Sequence, residues 1–366
     1  MSQRITVHNE EKPIYDIVIE KDYNKLAEEL QKLHSAERKL CLVTESTVGS
    51  YYADIVKERI LPVAKAVEIF TFPAGEANKN LTTVQNLYQF LILHQFERKD
   101  LLLALGGGVV GDLTGYAAAT YLRGIDFIQL PTSLLAQVDS SIGGKTGVDF
   151  DCYKNMVGAF YQPKLVYMNL EVLHTLKERE YLSGMGEIIK HGLIWDREYY
   201  QWLKAHLDQI REKDLTVLEP MIAKSCQIKR GVVERDPKEK GERALLNFGH
   251  TLGHAIERLM NFSLLHGECV GLGILAAYRI GVNRGQLTEQ EYQEIFSFLK
   301  ELGMAVSIDG LSAQEIVAVS KNDKKMEQGK VKFILLEKVG KAYIDRTITD
   351  AEMERALVEI GAKGSV

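Results

Sequence analysis

Residues 101–115 read LLLALGGGVVGDLTG, and the reading of this stretch decides the fold. Five consecutive apolar residues, Leu101 to Leu105, make a short run too apolar for a surface strand and too brief for a helix, so it predicts a buried strand. Gly106, Gly107 and Gly108 follow at once, and Gly111 completes a GxGxxG pattern that opens a helical segment. A strand running through glycines into a helix N-terminus is the geometry that cradles a pyrophosphate: glycines admit the backbone of a ligand, and first-turn amides lack intrahelical acceptors. The motif is weak by itself. Its loop follows roughly the third strand of the chain, and the downstream acid, Asp126, falls at a strand start, the wrong end for a ribose. Glu45, directly after the run LCLVT, is better placed, although a solvated strand-end charge reads the same way.

Outward from this stretch the first half alternates. Residues 39–44 and 66–72 are apolar runs, 46–59 and 81–96 are helical patterns, and 126–130 is a further strand ending at Pro131. Such alternation predicts a parallel sheet with helices on both faces and ligands at the carboxyl ends of its strands. From about Tyr181 the pattern becomes helical, over 186–195, 199–207, 217–234, 244–260, 267–284 and 289–302. A hairpin around Val339-Gly340 is embedded in it. We place a boundary near Pro163 and the polar run 177–180. The expected organisation is an α/β domain over 1–175 and a mainly helical domain over 176–366.

Composition bounds the function. The chain has 366 residues, 46% hydrophobic and 26% charged, ordinary globular values that exclude disordered and fibrous classes. A net charge of −5 argues against a nucleic-acid partner, so any anionic ligand must be met by local cations. Cys41, Cys152, Cys226 and Cys269 are scattered, which fits reduced thiols better than a disulfide framework or a zinc ribbon. The N-terminus lacks an apolar leader pattern and no run spans a bilayer, so a soluble, cytoplasmic protein with no membrane partner is expected.

Several stretches could carry chemistry. In LNFGHTLGH (246–254), His250 and His254 stand four apart, on one face of a helix. Metal ligands and satisfied core histidines both fit that spacing. In GMGEIIKHG (184–192), Glu187 and Lys190 lie one turn apart among apolar neighbours, where a buried carboxylate needs a partner and a metal would supply one. His266 opens a further helix, and Glu187, His250 and His266 make a plausible catalytic zinc set, with His254 competing for the third place. SIGGKTG (141–147) resembles a phosphate loop, but Asp139 stands where the first Walker glycine belongs; Lys145 and the nearby Lys154-Asn155 could still hold an anion. Arg243 directly precedes the apolar segment carrying Asn247 and His250, in an otherwise mixed-charge connection.

Together these stretches resemble the 3-dehydroquinate synthase family. The likeness is carried by PAGEANK (73–79), LALGGGVVGDLTGYAAATYLRG (103–124), QLPTSLLAQVDSSIGGKTGVD (129–149), KNMVGAF (154–160), GMGEIIKHG (184–192), ERALLNFGHTLGHAIE (242–257), HGE (266–268) and NDKK (322–325). The resemblance implies a tightly held NAD and a divalent metal, usually zinc, with Co2+ a possible substitute. It implies conversion of 3-deoxy-D-arabino-heptulosonate 7-phosphate to 3-dehydroquinate and inorganic phosphate by transient oxidation, elimination, reduction and intramolecular aldol closure, a step of the shikimate pathway. By position, Glu187, His250 and His266 would hold the metal, while Lys145, Asn155, Asn247, His254 and Lys324 or Lys325 would surround the phosphate. Arg123 would reach that phosphate from a second subunit, which implies a homodimer. Lys229 and Arg243 would bind the substrate carboxylate, and Asp139 and Lys190 the ring hydroxyls. Gly106, Gly107, Gly108, Val109, Asp112, Thr132, Ser133 and Glu45 would hold NAD, with Glu76, Lys79, Asp139, Lys145 and Lys154 lining the cofactor. The family commonly has Asp where this chain has Glu45. A glycerol-dehydrogenase-like enzyme would not need the anion-binding set, and cyclases acting on carboxylate-free sugar phosphates would not need Lys229 with Arg243.

Overall fold

The computed structural model describes residues 3–151, 153–239, 241–261, 263–321, 326–327 and 330–364. The chain forms two compact units, Met1–Leu176 with Leu218–Glu234, and Lys177–Val217 with Arg235–Val366. A single cut near 175 therefore does not describe the chain: the segment 218–234, which its helical pattern groups with the second half, packs with the first unit. Periodicity marks an apolar stripe but not the surface that stripe covers.

In the first unit the elements follow in order: β1 (Gln3–Asn9), β2 (Lys12–Glu20), α1 (Leu26–Gln31), β3 (Lys39–Glu45), α2 (Ser46–Ile60), β4 (Ala66–Phe72), α3 (Leu81–Leu93), β5 (Leu101–Gly106), α4 (Gly108–Thr120), β6 (Asp126–Pro131), β7 (Lys145–Phe150), β8 (Tyr153–Phe160) and β9 (Leu165–Asn169). Seven strands form one sheet in the order β1-β2-β9-β6-β5-β3-β4, parallel from β2 to β4. Every residue of β5 is buried, as a central parallel strand covered on both faces requires. Two features depart from the expected all-parallel plan. β1 pairs antiparallel with β2 at the sheet edge, and residues 145–160, which carry the candidate anion-holding Lys145 and Lys154-Asn155, form the separate antiparallel hairpin β7–β8. Between β6 and β7 the chain makes a π-helical turn over Ala136–Ser140, a feature that recurs at functional sites.

The second unit is mainly helical. It holds α5 (Glu178–Trp195), α6 (Arg197–Ala205), α7 (Leu207–Arg211), the start of α8 (Leu215–Arg235), α9 (His250–Leu259), α10 (His266–Asn283), α11 (Glu289–Leu302), α12 (Ala313–Ser320) and α13 (Asp350–Glu359). The expected hairpin is present as Phe333–Lys338 paired with Lys341–Asp345. The expected continuous helix over 244–260 is not. A 3-10 turn over Glu242–Asn247 ends before Gly249, whose φ of 77° no helix accommodates, and α9 starts only at His250. The expected helix over 199–207 is present as α6, which ends at Ala205, two residues early, with α7 following after His206. Among the described residues no helix is long and apolar enough to cross a membrane.

Candidate active site

The carboxyl edge of the first unit's sheet gathers the glycine turn and its neighbours. Register places Thr44 beside Leu105 and Gly106 beside Pro131, so Glu45, Gly106 and Thr132 follow from adjacent strand ends. Gly107 is the N-cap of α4, and the amides of its first turn have no intrahelical acceptors. Why these positions are glycine differs along the motif. A Cβ on Gly106 would lie 2.4 Å from Val110, which packing of α4 on the strand forbids, and one on Gly111 would lie 2.6 Å from the Gln129 amide oxygen, which would have to move. On Gly107 and Gly108 a Cβ would meet only serine hydroxyls, of Ser133 at 3.4 Å and Ser140 at 3.2 Å. Protein packing leaves room there, as a cradle for a pyrophosphate would. Thr132 is buried, its amide donating to the Gly106 carbonyl at 3.0 Å, and the Ser133 hydroxyl accepts from the Ala136 amide at 3.2 Å.

Glu45 has a second duty. It caps α2, its two carboxylate oxygens accepting from the amides of Thr47 at 2.6 Å and Val48 at 2.7 Å. That fixes the carboxylate at the strand end and leaves each oxygen a further lone pair. Lys79 is buried and donates to Asp112 at 2.7 Å and to Asn155 at 2.6 Å, joining the loop after β4, the helix after the glycine turn and the β8 hairpin. Burial raises the Asp112 carboxyl pKa against the pull of Lys79. Asn155 adopts φ 53°, its amide held by Asp149 at 2.8 Å. Lys145, Lys154 and Glu76 are exposed. Asp139 sits in the π-turn, where its carboxylate pairs with Lys229 of α8 and its carbonyl accepts from the same ammonium at 2.5 Å. Arg123 is exposed in a turn where Leu122, Arg123 and Gly124 all have positive φ. Lys324 and Lys325 lie outside the described residues.

In the second unit Glu187, from α5, is fully buried. Its Oε2 receives Lys190 one turn on, while Oε1 has no hydrogen-bond partner. Two imidazoles face that oxygen, His250 Nε2 at 3.4 Å and His266 Nε2 at 3.7 Å. Ligand atoms about 2.0–2.1 Å from a tetrahedral ion stand roughly 3.3 Å apart, so this donor set has the spacing and chemistry of a metal site. An unsatisfied buried carboxylate oxygen between two ring nitrogens is otherwise costly. His250 is oriented for the task, because Nδ1 meets the Phe248 carbonyl at 3.0 Å and Nε2 is left to face Glu187. Burial works against ionisation of both Glu187 and His266, yet their mutual charge outweighs it: Lys190 and His266 hold the Glu187 carboxyl well below its ordinary range, and Glu187 and Glu257 push His266 up to about 9. His254 also reaches the cluster, its ring centroid 5.1 Å from His250 and 5.5 Å from His266, so the histidine-only set remains geometrically available. Arg243 is buried, its Nη1 donating to the Pro237 carbonyl at 2.8 Å and its amide to Asp236 at 3.0 Å. Asn247 donates to Glu239 at 3.0 Å.

Glycines beside the candidate ligands set the helix spacing. A Cβ on Gly267 would lie 1.8 Å from the Ser183 carbonyl oxygen, and one on Gly186 2.7 Å from the Gly267 carbonyl. A Cβ on Gly253 would come within 2.8 Å of the Cys269 carbonyl. α5, α9 and α10 thus touch backbone to backbone next to Glu187, His254 and His266. Gly267→Ala should force α5 and α10 apart, lowering stability by roughly 1–3 kcal/mol and weakening metal retention; a variant with the parent's urea midpoint and metal content would refute the spacing role. Sequence reading passed over Glu257, which stands 3.6 Å from His266 Nδ1; the available signal was its position seven residues after His250 on one helix face.

Comparison with known proteins adds the lineage. Family models described as 3-dehydroquinate synthase N-terminal and 3-dehydroquinate synthase C-terminal match residues 69–183 and 184–326. A 3-dehydroquinate synthase of Acetivibrio thermocellus is 43% identical over 348 residues, covering 95% of this chain and 96% of its own. Among solved structures, a 2-epi-5-epi-valiolone synthase of Streptomyces hygroscopicus with NAD+ and Zn2+ bound is similar with a TM-score of 0.87 at 26% identity, over 98% of this chain and 99% of that one. A 2-deoxy-scyllo-inosose synthase complexed with carbaglucose-6-phosphate, NAD+ and Co2+ has a TM-score of 0.88 at 24% identity, over 98% and 100%, a likeness of fold.

Proposed function

The chain belongs to the 3-dehydroquinate synthase family, and from that premise we propose that it converts 3-deoxy-D-arabino-heptulosonate 7-phosphate to 3-dehydroquinate and inorganic phosphate, using NAD and a divalent metal. The observation that carries the reading is Glu187 Oε1, buried without a hydrogen-bond partner and faced by His250 Nε2 and His266 Nε2. We assign Glu187, His250 and His266 as the metal ligands, leaving His254 to the substrate phosphate, and zinc as the metal with Co2+ a substitute. When bound, NAD takes a hydride and returns it, and the metal lowers the pKa of the hydroxyl being oxidised.

The chain's own groups divide the remaining work. Gly106, Gly107, Gly108 and Val109 offer backbone to the pyrophosphate, with Asp112, Thr132, Ser133, Glu76, Lys79 and Lys154 around the cofactor and Glu45 on a ribose. Lys145, Asn155, Asn247 and His254 hold the phosphate, together with Lys324. These are cations, amides and an imidazole, with no carboxylate among them, which suits a leaving phosphate whose own oxygen removes the proton. Lys229 and Arg243 neutralise the substrate carboxylate, and Asp139 and Lys190 orient ring hydroxyls. Arg123, which lies on an exposed turn, would reach the phosphate of a second copy, and we read the working form as a cytoplasmic homodimer.

The test is a coupled assay with purified chain, NAD and the heptulosonate 7-phosphate. We expect equal amounts of phosphate and dehydroquinate, no net NADH, and loss of both products after chelation with recovery on adding Zn2+. No phosphate release from metal- and NAD-loaded protein would sink the reading.

A further inference from the structure

His266 stands between two carboxylates. Its Nε2 faces Glu187 Oε1 at 3.7 Å, and its Nδ1 faces Glu257 Oε2 at 3.6 Å. Glu257 is buried on α9, two helical turns after His250, so one helix supplies a candidate ligand and a carboxylate aimed at its neighbour. The helix spacing that permits this is fixed by the Gly253 contact with the Cys269 carbonyl.

We propose that Glu257 is a positioning residue for the metal site, holding His266 in the tautomer that carries its proton on Nδ1 and presents the Nε2 lone pair to the ion. This deepens the reading above and rests on Glu187, His250 and His266 being the ligands. A neutral imidazole has one N–H, and an acceptor beside one nitrogen decides where it sits. His250 meets the same requirement through a neutral backbone carbonyl, that of Phe248. His266, at the start of α10, has an ionisable carboxylate there instead, which also makes its ring the more basic donor. At 3.6 Å the contact stands just beyond hydrogen-bond range, and a ring shift of roughly 0.6 Å brings it to the ordinary N–H···O distance.

The experiment measures Co2+ binding to the full chain by chelator competition, together with the visible absorption of the bound ion, for the parent, Glu257→Gln, Glu257→Leu, Glu257→Asp and His250→Ala. Gln has nearly the shape of Glu and keeps an acceptor but loses the charge, so it reads the part the charge plays, while Glu257→Leu, of similar volume, removes the acceptor and tests the tautomer role. We expect Glu257→Gln and Glu257→Leu to bind one Co2+ about 10–100-fold more weakly with a shifted absorption band, Glu257→Asp to recover part of the affinity, and His250→Ala to lose tight binding. If Glu257→Gln and Glu257→Leu both match the parent in affinity and spectrum while His250→Ala loses the ion, the role of Glu257 is overturned and the ligand assignment stands. If His250→Ala binds as the parent does, the ligand assignment itself fails.

Discussion

His250→Ala yields a folded chain that no longer retains its metal through gel filtration and turns over on the order of a thousandfold more slowly, since a Lewis acid contributes several kcal/mol to the barrier. Glu187 Oε1 is buried beside His250 Nε2 and His266 Nε2, and the substitution would leave two of the three proposed donors to hold the metal. The remaining Glu187 carboxylate keeps Lys190, so the apo variant need not unfold. Elemental analysis of the purified protein reads the effect directly. His254→Ala provides the contrast. Its ring lies close to both neighbours, but the assignment gives it to the phosphate, so this variant should keep its metal and lose kcat/KM. Full metal content in His250→Ala would remove His250 from the ligand set, and loss of metal in His254→Ala would add His254 to it.

How far the sequence discloses this site follows from what each signal encodes. The run 101–105 and the glycines after it show β5 and α4 because burial on both faces leaves no polar residue in the strand, and close packing on Val110 leaves no room for a side chain at Gly106. β8 is silent, because YKNMVGAF is mostly exposed and lacks a buried face to print an alternation. The break before α9 rests on a single φ at Gly249, which apolar periodicity does not register. Spacing brought His250 and His254 to one helix face but gave no means of ranking His254 against His266, since that depends on how closely α9 and α10 approach. Glu45 shows a further limit. Its place after β3 is legible, but its capping of α2 appears only when the helix geometry aims two amides at the carboxylate.

Arg243→Ala should lower kcat/KM by roughly 30-fold to 5000-fold, the equivalent of about 2–5 kcal/mol lost when one side of a buried charged contact is removed. Arg243 is buried at the entrance to the 3-10 turn that leads to Asn247, and its contacts include Asp236, which accepts from its amide, and the Pro237 carbonyl, which accepts from Nη1. The first survives truncation because it uses backbone, and loss of the Nη1 bond should cost about 1 kcal/mol of stability. That difference separates a binding role from a structural one. Arg243→Lys keeps the charge but not the planar fork, and should fall between the parent and Ala. A substrate analogue lacking the carboxylate closes the argument: if Arg243 neutralises that group, parent and Ala variant should process the analogue equally slowly, since the partner of the deleted charge is already gone. An undiminished penalty on the analogue would assign Arg243 to another part of the substrate, and unchanged kinetics on the full substrate would remove it from the site.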